Sequence, residues 1–188
     1  MMKSDLNEVK SLIDQGENIE TRNGADYTPL HTAVWQNEEE ISRYLIYKEA
    51  DVNTVKNIGN PERPIHWAII NGNIPLAKLL KERGAKITQE FWPDELWAAL
   101  DSNNPAMLEW VLNQKGINPN RKAGIEGQTV LHQAILMSEP NPQMLEILLK
   151  YKVDPRIKDK EGKTAIDLLK TKKTSLQAIE KMLRKAKS

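Results

Sequence analysis

The sequence predicts an all-α solenoid of stacked helix–turn–helix units with protruding loops, and three observations carry the prediction. A short phrase, Thr28-Pro29-Leu30-His31, returns as Arg63-Pro64-Ile65-His66, as Thr129-Val130-Leu131-His132 and, worn, as Thr164-Ala165-Ile166-Asp167. Between them Asp94-Glu95-Leu96-Trp97 keeps only the apolar position, so Leu30, Ile65, Leu96, Leu131 and Ile166 stand 35, 31, 35 and 35 residues apart. A period in that range marks units too small to bury their own apolar faces, which must stack to make a core. Within each unit the apolar residues recur at three and four: Leu30, Ala33 and Val34, then Ile41, Tyr44 and Leu45 after the polar break Gln36–Glu39. That spacing suits two short amphipathic helices and a tight reversal. The composition, 39% hydrophobic and 28% charged, is that of an ordinary soluble domain.

Taken in order, residues 5–21 match only the second half of a unit. Leu6, Val9, Leu12 and Ile13 form one stripe, Gly16 follows as a helix stop, and the segment is expected to cap the stack. The first full unit, about 22–56, opens with turn chemistry at Asn23-Gly24-Ala25-Asp26, then offers Thr28 as N-cap and Pro29 at the first helical position. In the second, about 57–87, the turn is Asn71-Gly72-Asn73 and Gly84 closes the second helix. The third, about 88–120, is irregular: a bulky linker containing Phe91 and Trp92 replaces a small polar tip, yet Leu96, Trp97, Ala99, Leu100, Met107, Leu108, Val111 and Leu112 still supply packing faces. The fourth, about 121–155, has a stiff inter-helix segment, Ser138-Glu139-Pro140-Asn141-Pro142. The last, about 156–188, carries Gly162 in its loop and ends in an amphipathic run of Leu176, Ile179, Met182 and Leu183, expected to cap the stack at the C-terminal side.

The phrase Thr28-Pro29-Leu30-His31-Thr32-Ala33, with Pro64-Ile65-His66-Trp67-Ala68 and Thr129-Val130-Leu131-His132-Gln133-Ala134, resembles the T-P-L-H-x-A signature of ankyrin repeats. Ala50-Asp51-Val52-Asn53, Gly84-Ala85-Lys86-Ile87 and Gly116-Ile117-Asn118-Pro119-Asn120 resemble the family's closing phrase. The likeness covers nearly the whole chain, implies a single ankyrin repeat domain over 1–188, and is specific about fold rather than function.

Charge is unevenly distributed. Residues 1–149 hold 14 basic and 21 acidic side chains, net −7, whereas residues 150–188 hold 13 and 5, net +8. A lysine-rich end solubilises a terminal repeat and can also steer a partner. Cysteine is absent, which removes disulfides and thiolate chemistry, and no stretch has the length or hydropathy of an export signal or membrane span.

Nor does catalytic chemistry stand out. Gly124-Ile125-Glu126-Gly127 lacks the Gly-Lys-Ser/Thr of a phosphate loop, and no paired-cysteine, His-Glu-x-x-His or calcium-loop pattern occurs. His31, His66 and His132 fall at one repeat position along the stack, so they do not converge as metal ligands; each is expected to hold neighbouring loops in register, as the resemblance also implies. No metal and no cofactor is expected.

By the resemblance, Tyr27, Trp35, Phe91 and Trp92 fall on loop tips or first helices facing the concave side, joined by Ile70, Asn71, Asp101, Leu136 and Met137. Aromatic residues are enriched where interfaces bury energy. These residues are therefore the expected contact surface for another protein, with Thr28, Pro29, His31, His66, His132, Gly84 and Gly162 holding the frame. The function so implied is non-catalytic protein–protein interaction by a monomeric, cytoplasmic chain, in a host cytoplasm where a bacterium or virus delivers it. An inhibitor or regulatory subunit masking an enzyme or toxin is the alternative, and nucleic-acid binding through the basic end and catalysis rank below both.

Overall fold

The structure, a computed structural model, describes residues 5–59, 61–89 and 94–171. Phe91, Trp92 and the amphipathic run from Leu176 to Leu183 lie outside them.

The described residues form helices and loops with no strand. The helices are α1 (Leu6–Asp14), α2 (Pro29–Trp35), α3 (Glu39–Tyr47), α4 (Pro64–Ile70), α5 (Ile74–Glu82), α6 (Glu95–Asp101), α7 (Pro105–Leu112), α8 (Val130–Leu136), α9 (Pro142–Lys150) and α10 (Ala165–Thr171). They fall into two compact units, residues 1–91 and 92–188.

Short helices need strong ends, because four N–H groups at each start have no partner within the helix. The chain meets this with one device repeated. Proline stands in the first turn of α2, α4, α5, α7 and α9, where its missing N–H costs nothing. Asparagine caps three of the second helices, α5, α7 and α9: Asn73, Asn104 and Asn141 accept from Leu76, Ala106 and Gln143 N–H at 3.0, 3.1 and 3.0 Å.

In the first unit α2 packs on α3 and α4, α4 on α5, and α3 on α5 and α1. Its core is Leu30, Val34, Ile41, Leu45, Ile65, Ile69, Leu76 and Leu80, all buried. In the second unit α6 packs on α7 and α8, α7 and α8 on α9, and α8 on α10, around Leu96, Leu100, Met107, Leu108, Leu131, Ile135, Leu145 and Leu148. Within each unit, then, first helix packs on first helix and second on second. The stripe expected on α1 is only partly used. No α1 residue is fully buried, and Leu12 is 45% exposed.

Loops are tied to loops by side-chain amides. Asn53 donates to Gly84 O at 3.0 Å and accepts from Lys86 N–H at 2.9 Å. Asn120 repeats the pair in the second unit, donating to Lys152 O at 3.2 Å and accepting from Asp154 N–H at 2.7 Å. One side chain thus satisfies a donor and an acceptor that no helix could reach.

Candidate functional site

Thr28 and His31 show how the frame is built. Thr28 Oγ1 caps α2 by accepting from His31 N–H at 3.3 Å and lies 2.9 Å from His31 Nδ1, while His31 Nε2 sits 3.2 Å from Glu62 O of the next loop. Thr129 and His132 repeat this, with Nε2 3.1 Å from Lys163 O. Each buried imidazole therefore joins its own helix start to the following loop. Burial lowers the pKa of His31 and His132, and that of His66 to about 4, favouring the neutral ring. In α10 Asp167 takes the histidine's place: it accepts from Thr164 Oγ1 at 2.7 Å and Thr164 N–H at 3.1 Å, and these bonds lower its pKa to about 2.

On this frame the first unit carries a row of aromatic rings. Tyr27, at the end of the loop before α2, stacks on Trp35 at the end of α2, with centroids 5.9 Å apart and planes 8° from parallel. Trp67 of α4 continues the row, 6.1 Å from Trp35 and tilted 54°. Lys56 Nζ sits 4.6 Å over the Tyr27 ring, donates to its hydroxyl at 3.0 Å and lies 3.8 Å from Glu62 Oε2. The hydrogen bond to Tyr27 raises the Lys56 pKa, with the Glu62 charge adding to it. The Tyr27 ring thus contacts both a cation and an indole.

Trp35 itself remains 41% exposed. Asn71, at the end of α4, donates to Val34 O at 2.9 Å and Trp35 O at 3.3 Å, so its amide fixes the end of α2. Ile70 is half-buried beside it. The helices α2, Pro-Leu-His-Thr-Ala-Val-Trp, and α4, Pro-Ile-His-Trp-Ala-Ile-Ile, contain no carboxylate, lysine or arginine.

The second unit presents a different surface. Asp101 lies exposed at the end of α6, with its pKa raised by desolvation from crowding neighbours. Leu136, at the end of α8, is 40% exposed, and Met137 is half-buried. Ile125 is 84% exposed at the tip of a loop closed by Ala123 N–H to Gln128 O at 2.8 Å and Gln128 N–H to Ala123 O at 3.1 Å. The next loop leans on it through Lys160 N–H to Glu126 O at 3.0 Å. Gly162 turns that second loop at φ +77°, and Gly84 follows α5 at φ +91°, both in the left-handed region.

Two residues absent from the sequence-based set belong to these surfaces. Trp67 completes the aromatic row, and its signal was its spacing of 32 from Trp35 along the repeat. Ile125 could have been found as an apolar residue between two glycines of a turn. Among the described residues, no group of three or more histidine, aspartate or glutamate side chains is placed to hold a metal ion.

Helix pairs of this length, stacked like on like, with histidine-tied loops, define an ankyrin repeat protein. Comparison with known proteins agrees: the family described as ankyrin repeats in three copies matches residues 1–91, and that described as ankyrin repeats in many copies matches residues 112–169. The chain belongs to the ankyrin repeat family. It is similar to a solved ankyrin repeat domain from Acinetobacter baumannii AYE, with a TM-score of 0.80 and 25% identity, over 96% of this chain and 92% of that one.

Among curated proteins it is 31% identical over 117 residues to alpha-latrotoxin-Lg1a of Latrodectus geometricus, covering 61% of this chain and 9% of the toxin. It is 28% identical over 178 residues to palmitoyltransferase AKR1 of Lachancea kluyveri, covering 87% and 23%. It is 29% identical over 146 residues to putative ankyrin repeat protein FPV031 of Fowlpox virus, covering 74% and 42%. The chain thus spans less than half the length of these curated relatives. Ankyrin repeats are in general protein–protein interaction modules, and the fold is typically non-enzymatic. Among the described residues no helix is long and apolar enough to cross a membrane.

Proposed function

We propose that this chain is a non-catalytic binding module that engages another protein through the exposed face of α2 and α4, with Trp35 as the anchor. The observation that carries this reading is the combination at Trp35 of exposure and constraint: 41% of the residue is open, while Tyr27 stacks on its ring and Asn71 holds its backbone. A side chain already held in one orientation loses little entropy on binding, so the apolar area it buries is converted to affinity efficiently. Ile70 and Trp67 widen the anchor, and the paired charges Lys56–Glu62 and Arg22–Asp26 border it. The second unit's Leu136, Met137, Ile125 and Asp101 form a separate candidate contact surface. Phe91 and Trp92 extend the proposal as sequence candidates only. The same proposal includes a monomeric chain acting in the cytoplasm, in a host cell where another organism delivers it.

The test is affinity capture with crosslinking from native lysate, comparing the unmodified chain with Trp35→Ala. Loss of a specific partner, at unchanged helicity by circular dichroism, is the expected outcome. The anchor's removal should weaken binding by at least tenfold, the scale of an interface hot spot of about 2 kcal/mol. A partner captured equally well by both chains would remove Trp35 from the interface. Inhibition of a captured enzyme by the isolated chain would make the module a masking subunit rather than an adaptor.

A further inference from the structure

We infer that the ends of α6 and α8 in the second unit receive an arginine of a partner protein, flanked by an apolar side chain, with Asp101 as the carboxylate that pairs with it. The inference rests on the reading of this face as a protein-contact surface and names the chemistry that the surface takes. Asp101 is the last residue of α6. The same repeat position is Trp35 in α2, Ile70 in α4, Leu136 in α8 and Thr171 in α10, all uncharged. A carboxylate at this place departs from the pattern of the molecule.

Three features make that carboxylate unfavourable in the chain on its own. It stands in the last turn of a helix, where the dipole favours cations, and α6 has no basic residue in that turn. Its neighbours crowd it enough that burial raises its pKa, with no charged group opposing the shift. Among the described residues no hydrogen bond or ion pair reaches its side chain. Asp94, at the start of the same helix, shows the opposite arrangement: burial raises it too, but Arg121 lies 2.6 Å away and opposes the shift. Local rules are broken in folded proteins where function requires it, and Asp101, open to solvent yet unpaired, is placed to take its cation from outside.

The surroundings select the rest of the occupant. Helix α6 packs on α8, and Asn141 donates to Asn103 Oδ1 at 2.9 Å, tying the turn after α6 to the segment after α8. The C-terminal ends of the two helices therefore lie at the same end of the unit. There Leu136 is 40% exposed and Met137 half-buried, a surface for an apolar side chain next to the cation. Arginine suits the carboxylate better than lysine. Its guanidinium is more weakly hydrated, so it loses less on entering a partly desolvated site, and its fork matches both carboxylate oxygens. Binding and stability then pull in opposite directions at this one residue.

Two measurements on the full chain test the assignment. In urea unfolding, Asp101→Asn and Asp101→Leu should raise the midpoint by roughly 0.2–0.5 M, the scale of one misplaced helix-end charge, whereas a carboxylate with a structural role would lower it when replaced. For binding, the probes are a blocked peptide, Gly-Ser-Leu-Arg-Leu-Ser-Gly, and its counterpart with citrulline, the neutral analogue of arginine, each titrated by backbone NMR. The arginine peptide is expected to shift the signals of Asp101 and Leu136 and to bind at least tenfold more tightly than the citrulline peptide. Asp101→Asn should abolish that preference, Leu136→Ser should weaken both peptides, and Trp35→Ala should change the affinity by less than twofold. The assignment is overturned if the midpoint rises in neither Asp101 variant, if the two peptides bind alike, if neither binds, or if the preference survives in Asp101→Asn. Loss of binding in Trp35→Ala would also overturn it, by moving the peptide to the aromatic face. Capture of a partner through Trp35 is read separately: if the peptides fail and that capture persists, this assignment falls alone, and if both fail, the binding-module reading falls with it.

Discussion

Gly16, Glu49, Gly84 and Lys152 occupy one repeated position, the left-handed residue just past a second helix, with φ of +93, +65, +91 and +59°. A Cβ in this region costs about 1–2 kcal/mol, whereas glycine adopts it freely at some cost in unfolded-state entropy. Glu49→Gly and Lys152→Gly should therefore each raise stability by about 1 kcal/mol in urea unfolding, and Gly84→Ala should lower it by a similar amount. No atom lies within 4 Å of a Cβ built at Gly84, so that loss would come from backbone strain alone.

Histidine burial sets the response to acid at the same scale. His66 has a folded-state pKa of about 4 against an ordinary 6.5, so the unfolded chain binds the proton more readily. Its contribution is fully present above pH 6.5 and is lost as pH falls from 6.5 towards 4. The loss should reach about 3 kcal/mol near pH 4, since one pKa unit corresponds to about 1.4 kcal/mol. His31 and His132 shift in the same direction, so the wild-type unfolding midpoint should drop through that window, and His66→Gln should flatten part of the slope. Asp167 acts lower still, its contribution being lost as pH falls from about 4 to about 2.

At the scale of the element, α6 shows how a unit survives without the signature. Asp94 stands where threonine stands in α2 and α8, and its buried carboxylate accepts from Leu96 and Trp97 N–H at 3.0 and 3.2 Å. Its other oxygen receives Arg121 from the following loop at 2.6 Å. An ion pair thus makes the loop-to-helix tie that histidine makes elsewhere. Burial pushes the Asp94 carboxyl above its ordinary pKa, while the Trp97 amide and Arg121 oppose that shift. Arg121→Ala would strand the carboxylate. Removing one partner of a buried pair costs about 3–5 kcal/mol, and the partly exposed arginine reduces the expectation to about 2 kcal/mol. Asp94→Asn, which keeps the cap, should cost less in the same denaturant measurement.

For the whole molecule, stability is distributed by repeat rather than held in one centre, because each element touches only its neighbours. Helix α1 has no fully buried residue and packs only on α3 among the described helices with substantial contacts. Its amides should exchange with solvent fastest of the described helices, while those of α4 and α5, whose core side chains are buried, should be the slowest in their unit. Hydrogen exchange read by mass spectrometry checks this; equal protection of α1 and α5 would show a more cooperative molecule.

The repeat phrase, its period and the proline and asparagine punctuation determined the fold class, because short-range capping and helical spacing are written in neighbouring residues. The same information made Tyr27 and Trp35 visible as candidates, since both lie at fixed offsets from Thr28. What required tertiary structure was which side chains meet across 27 or more residues: Arg121 with Asp94, Asn71 with Trp35, and Trp67 with the aromatic row. Asn71 was legible as a surface residue, yet its amide is committed to the end of α2. Leu12 fits the stripe of α1 by spacing and remains exposed, because burial depends on what a neighbouring element covers. Spacing along a helix determines which residues share a face, whereas only the packed chain decides whether that face has a partner.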